Sequence, residues 1–537
     1  MDATMQDTQL LVSGLFEHGA RVHPEARVHH YRGGETVSRT FAESADEVRR
    51  LASALRAIGV QVGDVVATLC WNTPEHLSAY FAVPGMGAVL HTLNLRLHDD
   101  QLVYVVNHAG DKVILVDADL VPQFARIEHL LVTVEHIVVI GDAEMSSTRS
   151  TIHSYAELIA SASAATTFDW PDISESSAAA LCYTSGTTGD PKGVAYSHRS
   201  MVLHTLVVST GSAFGFTDAD RILPVVPMFH ANAWGWPHAA WTAGADIVMT
   251  GRFLQPEHLA RIFTELQPTA AAAVPTIWTG LDDYGCEHAI DFGSLRLAVS
   301  GGSPLSAALA NRFHEHHGVH LTQGWGMTET SPLLTFSRPP ANTDEGDFAR
   351  WTTRTGRLIP TVQARIVDET GHELGWDGVS VGEVELRGPT IAGSYMRAEG
   401  SATDKFRDGW LRTGDLGRIH PGGWVELTDR LKDGIKSGGE WISSVDLENV
   451  LAEHPAVAAV AVVGVPDPRW DERPLAYVVT RPGATVGDHE LRAFLADRVA
   501  KWQIPEYWKF VTELPLTSVG KLDKKLLRAA VRAELSV

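Results

Sequence analysis

Tyr183-Thr184-Ser185-Gly186-Thr187-Thr188-Gly189-Asp190-Pro191-Lys192-Gly193 is the stretch on which the reading of this chain turns. An apolar run, residues 178–182, leads into it. Its glycines let the backbone turn tightly and bring N–H groups close to anionic oxygens. Thr184, Ser185, Thr187 and Thr188 add hydroxyl donors, and Lys192 adds a positive charge. That chemistry suits a phosphate. A Walker A loop is a different object, because it needs Gly-Lys-Ser/Thr in sequence, whereas Lys192 follows proline and precedes glycine. By composition alone the stretch also fits a Ser/Thr/Gly-rich surface loop, so the decision rests on what accompanies it.

The chain has 537 residues, too many for one core, and two or more domains are expected. Hydrophobic residues make up 44% and charged residues 20%, the balance of a soluble globular protein. The formal net charge of −21 argues against a broad nucleic-acid-binding face, which needs clustered Lys and Arg. An anionic ligand such as ATP must then be held by a local site that overcomes the global field. Cys70, Cys182 and Cys286 lie far apart without CxxC spacing, so neither a disulfide framework nor a zinc site is expected. The first residues are acidic and polar, with no basic segment before an apolar one. No apolar run approaches the ~18 residues that span a bilayer. Residues 532–537 carry no recognisable address, and the cytoplasm is the expected compartment.

Strand-like apolar runs alternate with helix-like stretches through most of the chain, which predicts an α/β fold of layered sheets and helices. Residues 65–70 read as a buried strand and 74–86 as the helix after it, with further strands at 113–116 and 137–140. Residues 342–354 are polar and read as a loop. The charged, Gly-terminated segment Asp429-Arg430-Leu431-Lys432-Asp433-Gly434 follows a Pro-Gly-Gly turn and marks a boundary. Beyond it, residues 457–465 read as a strand flanked by amphipathic patterns. The expected organisation is a large domain over 1–428, a linker over 429–434 and a small α+β domain over 435–537.

Further motifs follow the first in order. Ser300-Gly301-Gly302-Ser303-Pro304 is a small-residue segment, and Gln323-Gly324-Trp325-Gly326-Met327-Thr328-Glu329-Thr330 mixes glycine, aromatic, hydroxyl and carboxylate. Thr413-Gly414-Asp415, the 429–434 segment, Ile435-Lys436-Ser437-Gly438-Gly439-Glu440-Trp441 and Pro515-Leu516-Thr517-Ser518-Val519-Gly520-Lys521 complete the set. Any one residue has a dull alternative: a lone Trp325 packs in cores and a lone Lys521 sits in solvent. As an ordered set, covering nearly the whole chain and both expected domains, they resemble the adenylate-forming enzymes: acyl-CoA synthetases, luciferases and peptide-synthetase adenylation domains. Through residues 227–234 and 429–448 the nearest resemblance is to bacterial medium- or long-chain fatty acyl-CoA synthetases.

The resemblance implies roles. Ser185, Gly186, Thr187, Thr188 and Gly189 would cradle phosphate with catalytic Thr184 and Lys192, while Gly301, Gly302 and Ser303 would form the adenine wall. Gln323, Gly324, Trp325, Gly326 and Thr328 would finish the nucleotide site, with Trp325 facing adenine. Glu329 and Thr184 would hold Mg²⁺, a metal that favours a carboxylate or two beside phosphate oxygens. Asp415 would reach the ribose and Arg430 the ribose or a phosphate, and Lys432, Lys436 and Trp441 would contact the adenylate. Lys521 would be the adenylation lysine, Gly438 and Gly439 would line the pantetheine tunnel for coenzyme A, and the mobile small domain would rotate about Lys432 between steps. The member it resembles is a homodimer, which makes a homodimer the expectation here.

Val225-Val226-Pro227-Met228-Phe229-His230-Ala231-Asn232-Ala233-Trp234-Gly235-Trp236 matches the segment that begins the family's acyl pocket. It holds no acidic residue for an α-amino group, and its apolar and aromatic side chains suit an alkyl chain. By resemblance His230 lies beside the reacting carboxylate with Ala231, and Trp234 gates the acyl tunnel. The activity implied is an ATP-dependent acid–CoA ligase for a fatty acid. An aryl, branched or sulfur-containing acid, a carrier-protein-loading enzyme, a luciferase-like oxygenase and a non-catalytic nucleotide sensor are the alternatives. Gly378-Val379-Ser380-Val381-Gly382 matches a GxSxG pattern, but an acidic loop precedes it and a strand follows, so a hydrolase elbow is not expected. His314, His316, His317 and His320 read as solvated histidines on a polar helix rather than metal ligands.

Overall fold

The computed structural model describes residues 3–162, 168–184, 190–398, 400–438, 440–515 and 522–535, without the side chains of 400–402, 440 and 532–535. Its backbone divides into two compact units, 1–362 with 387–409, and 363–386 with 410–537. The α/β class expected from the alternating pattern is the class found.

In the first unit one sheet runs Thr151–Ser154, His136–Ile140, Asp111–Asp117, Val65–Leu69, Val89–Thr92, Ala178–Tyr183, Gly193–Ser197. All its pairings are parallel except the last. The central strands read as unbroken apolar runs because both faces are covered, as parallel sheets require. Pro74–Gly85 follows the first of them as a helix, with Thr73 accepting from the His76 amide at its start and proline in its first turn. A second sheet in this unit carries Leu321–Gly326, Leu297–Ser300, Ala270–Ala273, Arg221–Pro224, Asp246–Met249 and Arg27–Tyr31 as parallel neighbours. Helices including Val12–Val22, Phe41–Ala57 and Trp236–Ala243 contribute to one large apolar cluster in this unit. The Trp241 indole stacks on Phe41 at 4.1 Å and lies so close to the Gly19 backbone that a β-carbon there would meet it at 2.3 Å.

In the second unit, Trp410–His420 pairs antiparallel with Gly382–Arg387 and Trp424–Arg430. Residues 431–434 turn the chain into a five-stranded sheet built on Val457–Asp467 and Asp471–Thr480. The period-2 pattern of the first long strand sends Val462 to one face, against Leu447, Leu451, Leu491 and Leu495. It sends Ala461 and Val463 to the other, against Leu527 and Val531 of the last helix, Lys524–Leu535.

Two sequence expectations need correction. Residues 342–354 are not simply a loop, because Phe348–Thr352 forms a short helix whose Phe348 packs on His320, ring centroids 4.7 Å apart. The 314–320 histidines are not simply solvated: His316 and His317 bond the buried Asp282 carboxylate at 2.8 and 3.2 Å, and Arg312 pairs with it too. The hydrolase pattern stays discounted, since Ser380 bonds Asp377 in a turn that enters a strand. All three cysteines are free, Cys70 and Cys182 buried and Cys286 exposed. Among the described residues no helix is long and apolar enough to cross a membrane.

His238 is fully enclosed between Tyr80 and Phe81, its Nε2 without a hydrogen-bond partner among the described residues. Burial pushes its pKa down to about 4. The unfolded chain therefore takes up a proton near pH 6.5 that the folded one refuses until about pH 4, so this histidine's contribution to stability falls as pH drops through that window. His238→Phe removes the linkage. Between pH 7 and 5 the variant should gain about 2 kcal/mol relative to the parent, read from urea unfolding at both pH values; parallel pH dependences would refute it.

Candidate active site

The motif that opened the reading is the tip of a hairpin. Tyr183 pairs with Gly193 across antiparallel strands, the Thr184 amide donates to the Lys192 carbonyl at 3.0 Å, and the Lys192 amide donates to Thr184 Oγ1 at 3.1 Å. Thr184 and Lys192 thus close the neck of the loop. Ser185, Gly186, Thr187, Thr188 and Gly189 lie outside the described residues. The chain returns as a strand rather than entering a helix, which separates this loop from a Walker A loop by topology as well as by sequence.

Glu329 sits on the short turn Thr328–Thr330, where the Thr328 carbonyl accepts from the Tyr196 hydroxyl at 2.6 Å. The residue is 4% exposed. Tyr395 donates to Oε1 at 2.5 Å, and Lys405 Nζ lies 3.9 Å from the same oxygen. Lys192 Nζ lies 5.2 Å from the Tyr395 ring centre, so one tyrosine touches both charged motifs. Gly326 precedes this turn under tight constraint, since a β-carbon there would lie 2.0 Å from the Pro332 carbonyl oxygen. Trp325, next to last in its strand Leu321–Gly326, is half-buried. The Gln323 side chain is engaged within the protein: Oε1 accepts from the Leu305 amide at 2.6 Å, and Nε2 faces the Gly324 carbonyl at 3.0 Å. It shapes the Gly301–Leu305 corner rather than offering a free amide.

Residues 224–235, the expected start of the acyl pocket, are held by several buried hydrogen bonds. Asn72 donates to the Pro224 and Val226 carbonyls at 2.8 and 3.0 Å and accepts from the Met228 amide at 2.8 Å, and the Tyr80 hydroxyl bonds the Met228 carbonyl. Beyond this clamp Ala231, Asn232, Ala233 and Trp234 all have positive φ, from +42° to +57°, before Gly235 at +77°. Four consecutive non-glycine residues in the left-handed region amount to a strained turn, at about 1–2 kcal/mol per residue. It lays the Trp234 indole over Gly301, 2.9 Å from where a β-carbon would be, and brings Gly235 onto His204. Asn232 faces the Cys182 thiol at 3.4 Å. His230 stays half-buried beside the Phe229 ring, 4.7 Å away. Met228 and Trp236, expected to line an alkyl surface, are fully buried in the apolar cluster, leaving Trp234 as the partly exposed aromatic of the segment.

The second unit gathers the other candidates. Asp415 pairs in register with Arg430, whose Nε lies 3.9 Å from its carboxylate. Lys436 pairs with Glu369 and lies 5.7 Å from the Trp441 ring centre. Gly438 takes φ +61° and donates to the Trp470 carbonyl at 2.8 Å. Lys432 occupies the exposed turn after Arg430. Gly439 and Lys521 lie outside the described residues. Sequence reading missed a buried cluster here: Asp429 accepts from Ser444, and Lys524 bonds Ser444 Oγ at 2.6 Å and Glu448 at 2.7 Å. Burial pushes the Glu448 carboxyl up to about 7 against the pull of Lys524. It also missed Asn72, Tyr395 and Lys405, single residues outside any motif.

The oxygen donors fit a hard divalent cation. Glu329 is a buried carboxylate whose bonds among the described residues fall on Oε1, and Thr184 is a hydroxyl one strand away from Lys192.

Comparison with known proteins adds independent findings. Residues 16–396 match the family model "AMP-binding enzyme" and residues 446–521 match "AMP-binding enzyme C-terminal domain". The chain is 41% identical over 530 residues to a 3-methylmercaptopropionyl-CoA ligase of Ruegeria lacuscaerulensis, covering 98% of each chain. It is 43% identical over 534 residues to a long-chain-fatty-acid–CoA ligase of Thermus thermophilus, covering 98% of this chain and 96% of that one. The structure of the anthranilate CoA ligase AuaEII in complex with anthranoyl-AMP superposes with a TM-score of 0.86 over 100% of both chains at 26% identity.

Asn72→Ala would strand two carbonyls and one amide at the entrance to the strained turn. The expected loss is about 2–4 kcal/mol of unfolding free energy in urea; a change below about 0.5 kcal/mol would mean that the clamp does not hold this segment.

Proposed function

The chain belongs to the AMP-binding enzyme family, as an acid–CoA ligase that works through an acyl-adenylate, and from that premise we propose that its acid is an unbranched aliphatic one with an uncharged tail. Two candidates stand at the ends of that class, a short thioether acid and a medium- or long-chain fatty acid. The observation that carries the proposal is the Trp234 indole laid over Gly301 and Gly302 beside Val274, an apolar closure. That closure favours the short thioether acid, and the relatives named for 3-methylmercaptopropionate support it. The fatty acid reading is supported by the relatives named for long- and medium-chain acids and requires Trp234 to swing aside.

The reaction uses ATP, Mg²⁺ and coenzyme A. In its first half the acid's carboxylate oxygen bonds the α-phosphorus and the bond to pyrophosphate breaks. In its second the thiolate sulfur bonds the acyl carbon, AMP leaves, and the thiol proton goes to solvent. Both reactants of the first half are anions, so repulsion dominates the barrier and fixed positive charge lowers it. Lys192, at the loop neck, is proposed to hold the triphosphate, and Lys521 to bridge carboxylate and α-phosphate. Glu329 and Thr184 would hold Mg²⁺, which when bound neutralises phosphate charge. Asp415 and Arg430 would take the ribose, Trp325 the adenine, and His230 and Ala231 the acid's carboxylate end. Gly438 and Gly439 would face pantetheine after the small domain turns about the 429–434 segment. A cytoplasmic homodimer completes the proposal, and sedimentation equilibrium would give its mass.

Lys521→Ala should lower acyl-AMP formation by about 10²–10³ and leave thioester formation from preformed acyl-AMP near the parental rate. Equal loss in both halves would refute the role. A panel from acetate to palmitate, with 3-methylmercaptopropionate, benzoate and branched acids, scored as acyl-CoA by mass spectrometry, tests the substrate class. Preference for aryl or branched acids would overturn it. Trp234→Ala should shift the preferred chain length upward if the indole closes the pocket, and an unmoved optimum would remove Trp234 from chain-length control.

A further inference from the structure

Tyr395 lies in no motif that marked the site, yet it touches both Lys192 and Glu329. It is 5% exposed, with its ring edge-on to Phe406 at 5.1 Å. Its hydroxyl donates to Glu329 Oε1 at 2.5 Å, and its ring face lies 5.2 Å from the Lys192 ammonium, within cation–π range. The backbone around it is stitched to both sides. The Ala392 amide donates to the Glu329 carbonyl at 2.8 Å and the Met396 amide to the Gly193 carbonyl at 2.8 Å, while Ser331 Oγ donates to the Thr390 carbonyl at 2.9 Å. A segment some two hundred residues after the phosphate loop is thereby fixed between that loop and Glu329.

Resting on the nucleotide-site reading above, we infer that Tyr395 is a positioning residue: its hydroxyl occupies Glu329 Oε1 so that Oε2 is left to a divalent cation, while its ring gives the Lys192 ammonium a platform. A phenol hydroxyl against a carboxylate oxygen, which can only accept, is the donor of that bond. Lys405, 3.9 Å from the same Oε1, reinforces the choice of oxygen. Carboxylates that ligate metals are commonly fixed by such outer hydrogen bonds, and losing one weakens metal binding by about 10–100-fold.

The test is equilibrium binding of Mn²⁺, standing in for Mg²⁺, followed by the electron paramagnetic resonance of free Mn²⁺ with a non-hydrolysable ATP analogue present. Tyr395→Phe keeps the ring and its packing on Phe406 and removes only the hydroxyl. It should weaken Mn²⁺ binding by about tenfold or more while metal-free analogue binding and the melting temperature stay at parental values. Tyr395→Leu should in addition weaken metal-free analogue binding, because Lys192 loses its platform. Unchanged Mn²⁺ affinity in Tyr395→Phe overturns the inference, as does a lowered melting temperature with analogue and Mn²⁺ binding lost together. A parental protein that binds no Mn²⁺–analogue complex would overturn the nucleotide-site reading itself, and this inference with it.

Discussion

A chain of net charge −21 that handles ATP has to concentrate its positive charge where the phosphates lie, and on the reading proposed above that task falls to Lys192 and so depends on how this lysine is held. At the protein surface a lone ammonium loses most of its value to solvent and salt. Here the lysine's own backbone closes a hairpin with Thr184, so its starting point is set by the sheet. Its far end lies against an aromatic face that is itself hydrogen-bonded to a carboxylate. Position, not quantity, of charge is what the fold provides, and electrostatic preorganisation of this kind carries much of the rate in phosphoryl chemistry.

The central strands were legible because burial on both faces leaves an apolar run that polar loops cannot imitate. The prediction for 65–70 meets a strand at Val65–Leu69, and that for 457–465 meets one at Val457–Asp467. The segment 183–193 stood out because its donors are written in consecutive residues. What escaped was chemistry distributed in space. Asn72, Tyr395 and Lys405 act across large sequence separations as single side chains, and nothing in the spacing of one asparagine marks the carbonyls it will meet. The Phe348–Thr352 helix escaped because its five residues are too few to show a period and its surroundings are polar.

In the small unit the linker is more than a flexible joint. Asp429 is 6% exposed, and its carboxylate is consumed by Ser444 at the start of the next helix. Arg528 of the last helix pairs with Asp433. Charged residues in a segment read as a hinge would ordinarily be solvated, and burying them costs solvation energy that only good geometry recovers. Replacing one partner would leave the other charge buried and unpaired, so the cluster fixes where the turn at 431–434 begins and ends.

The turn at 231–235 follows the same logic in the opposite direction. No local preference produces four successive left-handed non-glycine residues, since each pushes its β-carbon toward a carbonyl. The strain persists because the chain on one side is clamped by Asn72 and Tyr80, and on the other Trp236–Ala243 is packed as a helix into the apolar cluster. Those contacts belong to the folded unit as a whole, so the shape of the acyl segment is imposed from outside it. A right-handed path through the same residues would relieve the strain but turn the Trp234 indole away from Gly301 and Gly302, whose lack of side chains is what admits it. The glycines at 301 and 302 and the strain at 231–234 are therefore one constraint, expressed in two motifs some seventy residues apart.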